Sequence, residues 1–177
     1  MKLTFGALTE TPLGPISFFA GEKGLKRLAF STLRSLKQQE NLQEQGPSLY
    51  GLEVIGVLLG ELNEYLYGIR KDFSIQIDWD VMSEFQRKVL AFTREIPYGQ
   101  VKTYGEIARA LGKPGASRAV GMALGSNPIP IIIPCHRVVG INGELRGYIN
   151  GVESKAFLLG LEGHDISDGK ITLQAHQ

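Results

Sequence analysis

TYGEIARALGKPGASRAVGMALG, residues 103–125, places two short helical patterns on either side of a Lys113-Pro114-Gly115 turn. Thr103 with Glu106 three residues later makes a capping box, opening a helix predicted to run through Leu111 and stop at Gly112. Ala116 to Gly125 reads as the second helix, and two short helices across a Gly/Pro turn outline a helix-turn-helix. Ala119, Gly121 and Ala123 leave the second helix flat enough for another backbone to approach. The outline alone fits either close helix packing or nucleic-acid binding.

Upstream, Ser83 and Gln86 read as a second capping box, and Phe85, Val89, Phe92 and Ile96 continue as an amphipathic helix ending at Pro97 and Gly99. The pattern changes character near Asp80. Before it, LTFGAL, a turn over residues 11–15, ISFFA, a Glu22-Lys23-Gly24 turn and LKRLAF read as a small antiparallel meander. Residues 31–45, with Leu33, Leu36 and Leu42, suggest a surface helix. Ile55, Leu59, Leu62 and Leu66 give residues 52–66 helical spacing, with Gly68 at the C-cap, and this helix is expected to cover the sheet. FSIQIDW, 73–79, alternates as a strand or an extended connector.

Composition bounds the class. A chain of 177 residues with 43% hydrophobic and 21% charged residues has ordinary globular values and room for one large domain or two small ones. No apolar run approaches a bilayer span and the amino terminus lacks a signal-peptide core, so a soluble intracellular protein is expected. One cysteine cannot form an internal disulfide, and three histidines beside it do not supply a structural metal site. The net charge of +1 conceals an asymmetry. Residues 1–80 hold 8 Lys and Arg against 10 Asp and Glu, a balance of −2, whereas residues 81–163 hold 10 against 6, a balance of +4. A basic second half suits a polyanionic partner.

The single thiol lies in IPIIIPCHRVVG, 129–140, where an apolar run meets Pro134 and opens onto Cys135, His136 and Arg137. The run reads as a buried strand that Pro134 stops, turning the chain at the thiol. Gly140, Asn142 and Gly143 mark a further turn, so Cys135 sits on a loop delivered by a buried element, as reactive groups often do. A nucleophilic thiol needs a base or a positive field, and His136 and Arg137 can supply them; the plain alternative is an inert buried cysteine. Neighbouring Cys and His side chains point apart, so a bridging water or a further residue is required between them. A hydrolase using a remote histidine would have only His164 and His176 to draw on, and thiol redox chemistry lacks a resolving cysteine.

IPCHRV at 133–138, with SNP at 126–128 and Arg118-Ala119-Val120-Gly121, resembles the O6-alkylguanine-DNA alkyltransferases, suicide repair proteins that take an alkyl group from guanine onto cysteine. The likeness is close over residues 83–163, and the TPLGP hairpin is similar to that family's amino-terminal domain. It implies an α+β fold: a small antiparallel-sheet, ribonuclease H-like domain over 1–80, a mostly helical winged helix-turn-helix domain over 81–163, and a tail over 164–177. By motif position Cys135 would accept the alkyl group, His136 would act as base through a water, and Glu162 would orient His136. Tyr104 would contact the lesion base and its flanking phosphate, and Lys155 would stabilise the departing guanine oxygen. Val138 and Ile149 would offer backbone groups to the guanine edge, Tyr148 would wall the pocket, and Asn127 would tie the SNP turn to the site loop. Arg118 would fill the vacated base stack from the minor groove, on a helix whose Ser117, Ala119 and Gly121 face DNA.

The implied partner is double-stranded DNA carrying alkylated guanine, with O4-alkylthymine a further possible substrate. No cofactor, metal or membrane is implied. The protein would be a monomer, with cooperative binding along DNA left open, and cytoplasmic, at the nucleoid in a prokaryote or in the nucleus of a eukaryote. The chain departs from the family at Arg146-Gly147-Tyr148-Ile149-Asn150, where many members carry Ser or Ala after the tyrosine. Bulky Ile149 is expected to narrow the pocket. The readings from other classes are a non-catalytic binder of alkyl lesions, which would not need Cys135, and a winged-helix regulator in which Cys135 is structural.

Overall fold

The computed structural model describes residues 2–42 and 46–172, and these form two compact units that divide between Val81 and Met82. In the first, β1 (Thr4–Leu8), β2 (Ile16–Gly21) and β3 (Gly24–Ala29) make an antiparallel meander in that order. All of β2 is buried because both faces of the sheet are covered. Successive strand residues point to opposite faces. Phe19 meets Leu3 and Leu36 of α1 (Leu33–Gln39), while Phe18 faces Ile55 of α2 (Leu49–Leu66) across Gly6. A Cβ on Gly6 would lie 2.5 Å from Phe18 and 2.7 Å from Ile55, so glycine lets the helix seat on the sheet.

The helix predicted over 31–45 is shorter than expected: α1 ends at Gln39, and residues 43–45 lie outside those described. Helix α2 opens at Ser48, whose hydroxyl accepts from the Gly51 amide, and stops before Gly68 at φ 73°. Residues 73–78 are extended but join the sheet at one point only, a parallel bridge from Ile77 to Leu25. Trp79 leaves the alternation to open a 3-10 turn over Trp79–Val81.

The second unit begins with α3 (Glu84–Arg94), which packs with α4 (Tyr104–Ala110) and α5 (Ser117–Gly125). The capping box at Thr103 is complete, each partner's side chain meeting the other's amide, and such a cap is worth about 1 kcal/mol. At Ser83 only half of the predicted box forms. Gln86 turns away and donates to the backbone oxygen and hydroxyl of Ser126, 2.9 and 3.0 Å, tying the start of α3 to the end of α5. Beyond α5 come the two-residue strand β5 (Val138–Val139), which pairs in parallel with β4 (Lys102–Thr103), then α6 (Gly151–Leu161) and the hairpin of β6 (Ile166–Ser167) and β7 (Lys170–Ile171).

Two expectations need correction here. Residues 129–133 are not a strand. Pro128, Pro130 and Pro134 remove the amide donors a ladder requires, Ile131 sits at φ 72°, and the run folds into a fully buried turn with one bridge from Pro130 to Ile133. Nor is residue 164 onward merely a tail: Ile171 is buried with Val139, Leu145 and Leu159, and its amide donates to Gly143. His176 lies outside the described residues. The fold is α+β, with the sheet in the first unit and helices dominating the second.

Candidate active site

Cys135 opens a 3-10 turn over Cys135–Arg137, closed by the Arg137 amide donating to Pro134 at 2.9 Å. With three residues per turn, consecutive side chains leave in three directions. The thiol therefore faces one way and the two basic groups others, as the expectation for neighbouring Cys and His required. Fully buried Asn127 fixes the thiol: its amide nitrogen donates to the Ile133 carbonyl at 2.9 Å and to Cys135 Sγ at 3.2 Å, while its oxygen accepts from the Ile129 amide. Burial pushes the Cys135 thiol up, against the pull of the Asn127 donor and the Lys155 charge, so the resting group is a thiol.

Behind the thiol, His136 Nε2 lies 2.9 Å from Glu162 Oε1, both fully buried as side chains. Burial drives the His136 pKa down, making it a neutral base. Burial would raise Glu162, but hydrogen bonds and charges from His136 and Arg137 outweigh it and hold the carboxyl well below the usual range. With His136 neutral, the cation that keeps Glu162 ionised is Arg137. Its guanidinium donates to both carboxylate oxygens at 2.9 to 3.1 Å and to the Ile96 carbonyl at 2.6 Å. Since ionised Glu162 only accepts, Nε2 carries the imidazole proton and Nδ1 is the basic nitrogen.

Arg137 thus faces Glu162, which corrects its reading as a source of positive field at the thiol. The Pro97-Tyr98-Gly99 turn completes the seat, the Gly99 amide donating to Glu162 Oε2 at 3.1 Å and Tyr98 to the Leu161 carbonyl at 2.6 Å. These contacts span 25 to 63 residues of sequence and have no local signal in it.

One helix supplies the remaining charges, because Lys155 and Glu162 stand two turns apart at the same face of α6 and its C-cap. Lys155 is fully buried, and its ammonium donates to the carbonyls of Val138 at 2.6 Å and Arg146 at 2.9 Å. Burial lowers its pKa to about 8, partly offset by Cys135. The parallel pairing of Lys102 with Val138 sets the first residue of α4, Tyr104, beside the cysteine turn. Tyr104, Gly121, Leu124, Gly125, Cys135 and the segment Gly147 to Ile149 line one cavity of about 340 Å³. Tyr148 stands edge-on to the His136 ring, 6.4 Å between centroids.

Most of the predicted site residues come together here. Val138 is adjacent but does not line the cavity; its carbonyl takes Lys155 and its amide donates to Cys135. Ile149 lines it while 41% exposed, at the rim. On α5, Arg118 and Ala119 are exposed, Ser117 is half-buried, and half-buried Gly121 turns toward the Tyr104 ring rather than outward. Among the described residues no group of three His, Cys, Asp or Glu side chains is placed to hold a metal, and no helix is long and apolar enough to cross a membrane.

Residues 5–79 match the sequence profile of the 6-O-methylguanine DNA methyltransferase ribonuclease-like domain, and residues 84–164 that of the same family's DNA binding domain. A Methanosarcina acetivorans protein named methylated-DNA--protein-cysteine methyltransferase is 42% identical over 157 residues, 89% of this chain and 97% of that one. The chain belongs to the 6-O-methylguanine DNA methyltransferase family. Solved members share its fold. A crystal structure of Mycobacterium tuberculosis O6-methylguanine methyltransferase matches with a TM-score of 0.73 at 34% identity, covering 90% of this chain and 92% of that one. Another, of Mycobacterium tuberculosis OGT in complex with DNA, gives 0.73 at 37% identity over 89% and 91%. The one cysteine of the chain is the one that lines the cavity.

Proposed function

We propose that this protein repairs double-stranded DNA by moving the alkyl group of O6-alkylguanine onto Cys135, once per molecule. The observation that carries the reading is the sole thiol in a cavity walled by Tyr104 and Tyr148, with a neutral buried histidine held by an ionised carboxylate behind it. The Cys135 proton passes through a water to His136 Nδ1, Sγ attacks the alkyl carbon, and the bond from that carbon to guanine O6 breaks. The oxygen leaves with the electron pair, and the resulting guanine anion takes a proton from water at N1, restoring guanine. Lys155 lies close enough to Cys135 for their charges to interact, and its ammonium favours the departing anion. Glu162 and Arg137 act through His136 and are positioning residues.

The reacting carbon is inside a duplex, so the nucleotide turns out of the stack at a cost of about a few kcal/mol, less for a mispaired base. Arg118, from the exposed face of α5, enters the minor groove and occupies the gap. Residues 81–163 carry recognition and chemistry, and residues 1–80 form a separate supporting domain. The protein acts as a monomer wherever DNA is kept: in the cytoplasm, at the nucleoid or in the nucleus. A thioether has no leaving group and the chain has no second thiol to remove it, so each molecule is consumed.

Titrating a duplex containing O6-methylguanine against the protein tests this. At most one methyl is removed per chain, and mass spectrometry finds it on Cys135. Removal beyond one equivalent, or removal that survives Cys135→Ala, overturns the reading; tight lesion binding with Cys135 unmodified identifies a binder instead.

A further inference from the structure

Helix α5 buries Val120, Ala123 and Leu124, and its opposite face carries Arg118, Ala119, Met122 and Gly125. Positions 118, 122 and 125 follow the four- and three-residue spacing of a single ridge. Met122 is 77% exposed, among the most exposed large apolar side chains of the second unit. It follows Gly121 directly and precedes Gly125 by almost one turn, and both glycines line the cavity that holds Cys135. The exposed face therefore presents the Arg118 guanidinium, the Ala119 methyl and the Met122 thioether, with two cavity-lining glycines, Gly121 and Gly125, on the same helix beside them. Nothing in the packing of α5 needs an apolar chain there, since the buried face is already complete.

We propose that Met122 is a second insertion residue, an apolar wedge that enters the DNA minor groove beside Arg118 and rests on the sugar and base edges flanking the vacated position. The inference depends on the proposed function for its substrate. The occupant is specified by continuity with the cavity and by charge: Arg118 shares the ridge, and residues 81–163 carry 10 Lys and Arg against 6 Asp and Glu. Minor-groove proteins frequently insert apolar side chains, methionine among them, between base steps, partly unstacking them. Methionine suits a site that differs with sequence, being unbranched, polarizable and free to change rotamer. Arg118 supplies the cation; Met122 supplies the surface that a displaced base step loses.

Single-turnover repair of an O6-methylguanine duplex is compared with reaction of free O6-methylguanine base for wild type, Met122→Ala, Met122→Leu and Met122→Gln. The ratio of duplex to free-base rate falls about tenfold in the alanine and glutamine variants and is restored by leucine. In wild type, adding unmodified duplex also protects Met122 from oxidation by peroxide, read as sulfoxide by mass spectrometry. An unchanged ratio in Met122→Ala, or equal oxidation with and without DNA, overturns the wedge. Failure of wild type to react with either substrate strikes at the repair reading instead, and the oxidation measurement still decides whether Met122 meets DNA.

Discussion

Lys155 is a buried cation whose ammonium is held by two backbone carbonyls and, among the described residues, by no carboxylate, and its pKa of about 8 leaves it charged at neutral pH but not far above. This sets the pH dependence of alkyl transfer. As pH rises, His136 first loses its proton, below its ordinary 6.5, and the base becomes available. Near 8 Lys155 loses its own, and with it the support of the departing anion. Single-turnover rates should rise on the acid side and fall above about 8, and Lys155→Met should remove the fall while slowing the plateau about a hundredfold. A rate still climbing at pH 9 would assign reactivity to the thiolate alone. A second expectation concerns Arg137. Glu162→Gln strands its guanidinium and should cost about 3–5 kcal/mol in denaturant unfolding, whereas Arg137→Met with Glu162→Gln together should cost less than either single change. Cys135 and His136 were legible in the IPCHRV run itself, whereas Asn127, Tyr104 and Lys155 were named only through the resemblance that the run carries. The Arg137 fork was not: its direction is set by the three-residue period of the turn and its target comes from the end of a distant helix.

At the scale of elements, the pair α4 and α5 was readable from Thr103 onward, through a capping box on α4, a Gly/Pro turn and small residues at helical spacing on α5. The exposed ridge of α5 makes Arg118 the residue to change: Arg118→Ala should slow repair in duplex DNA at least tenfold more than reaction with the free base, and equal slowing of both would remove its insertion role. The stretch 129–133 was readable as buried and misread as a strand. Periodicity cannot separate a strand from an apolar turn when every side chain is inside; three prolines at 128, 130 and 134 were the signal against a ladder. The half-formed box at Ser83 shows the converse, a local pattern overridden because Ser126 offered Gln86 two acceptors across the helix pair.

For the whole molecule, the division near residue 80 followed from a change of pattern, but the hairpin at 166–171 was hidden because four strand residues around a tight turn carry too little hydrophobic signal. Its partner, the Gly140–Leu145 loop, is read only in three dimensions. The second unit also holds the groups that govern acid stability. The His136 pKa is lower folded than its ordinary 6.5, so the unfolded chain takes up the proton first and stability is lost as pH falls below 6.5. Glu162, held below its ordinary 4.5, contributes stability above 4.5 that is lost as pH falls further. Both act in the same direction. Thermal unfolding followed by calorimetry between pH 7.5 and 4 should show the transition of the second unit moving down, with His136→Gln flattening the upper part of that slope.

The buried turn at 129–135 has one more consequence, in exchange kinetics. Loops ordinarily give up their amide hydrogens quickly, through openings that cost little. Here the amides of Ile129, Ile133 and Cys135 donate to Asn127 Oδ1, Ile129 and Ile133 at 2.8 to 3.0 Å, in a run where every residue from 129 to 135 is buried. Deuterium should enter them as slowly as it enters the middle of α6, and Asn127→Ala should release all three together. Irregular in outline, the segment would behave as part of the cooperative core, so that Cys135 is held in place without the fluctuation that irregular backbone usually brings.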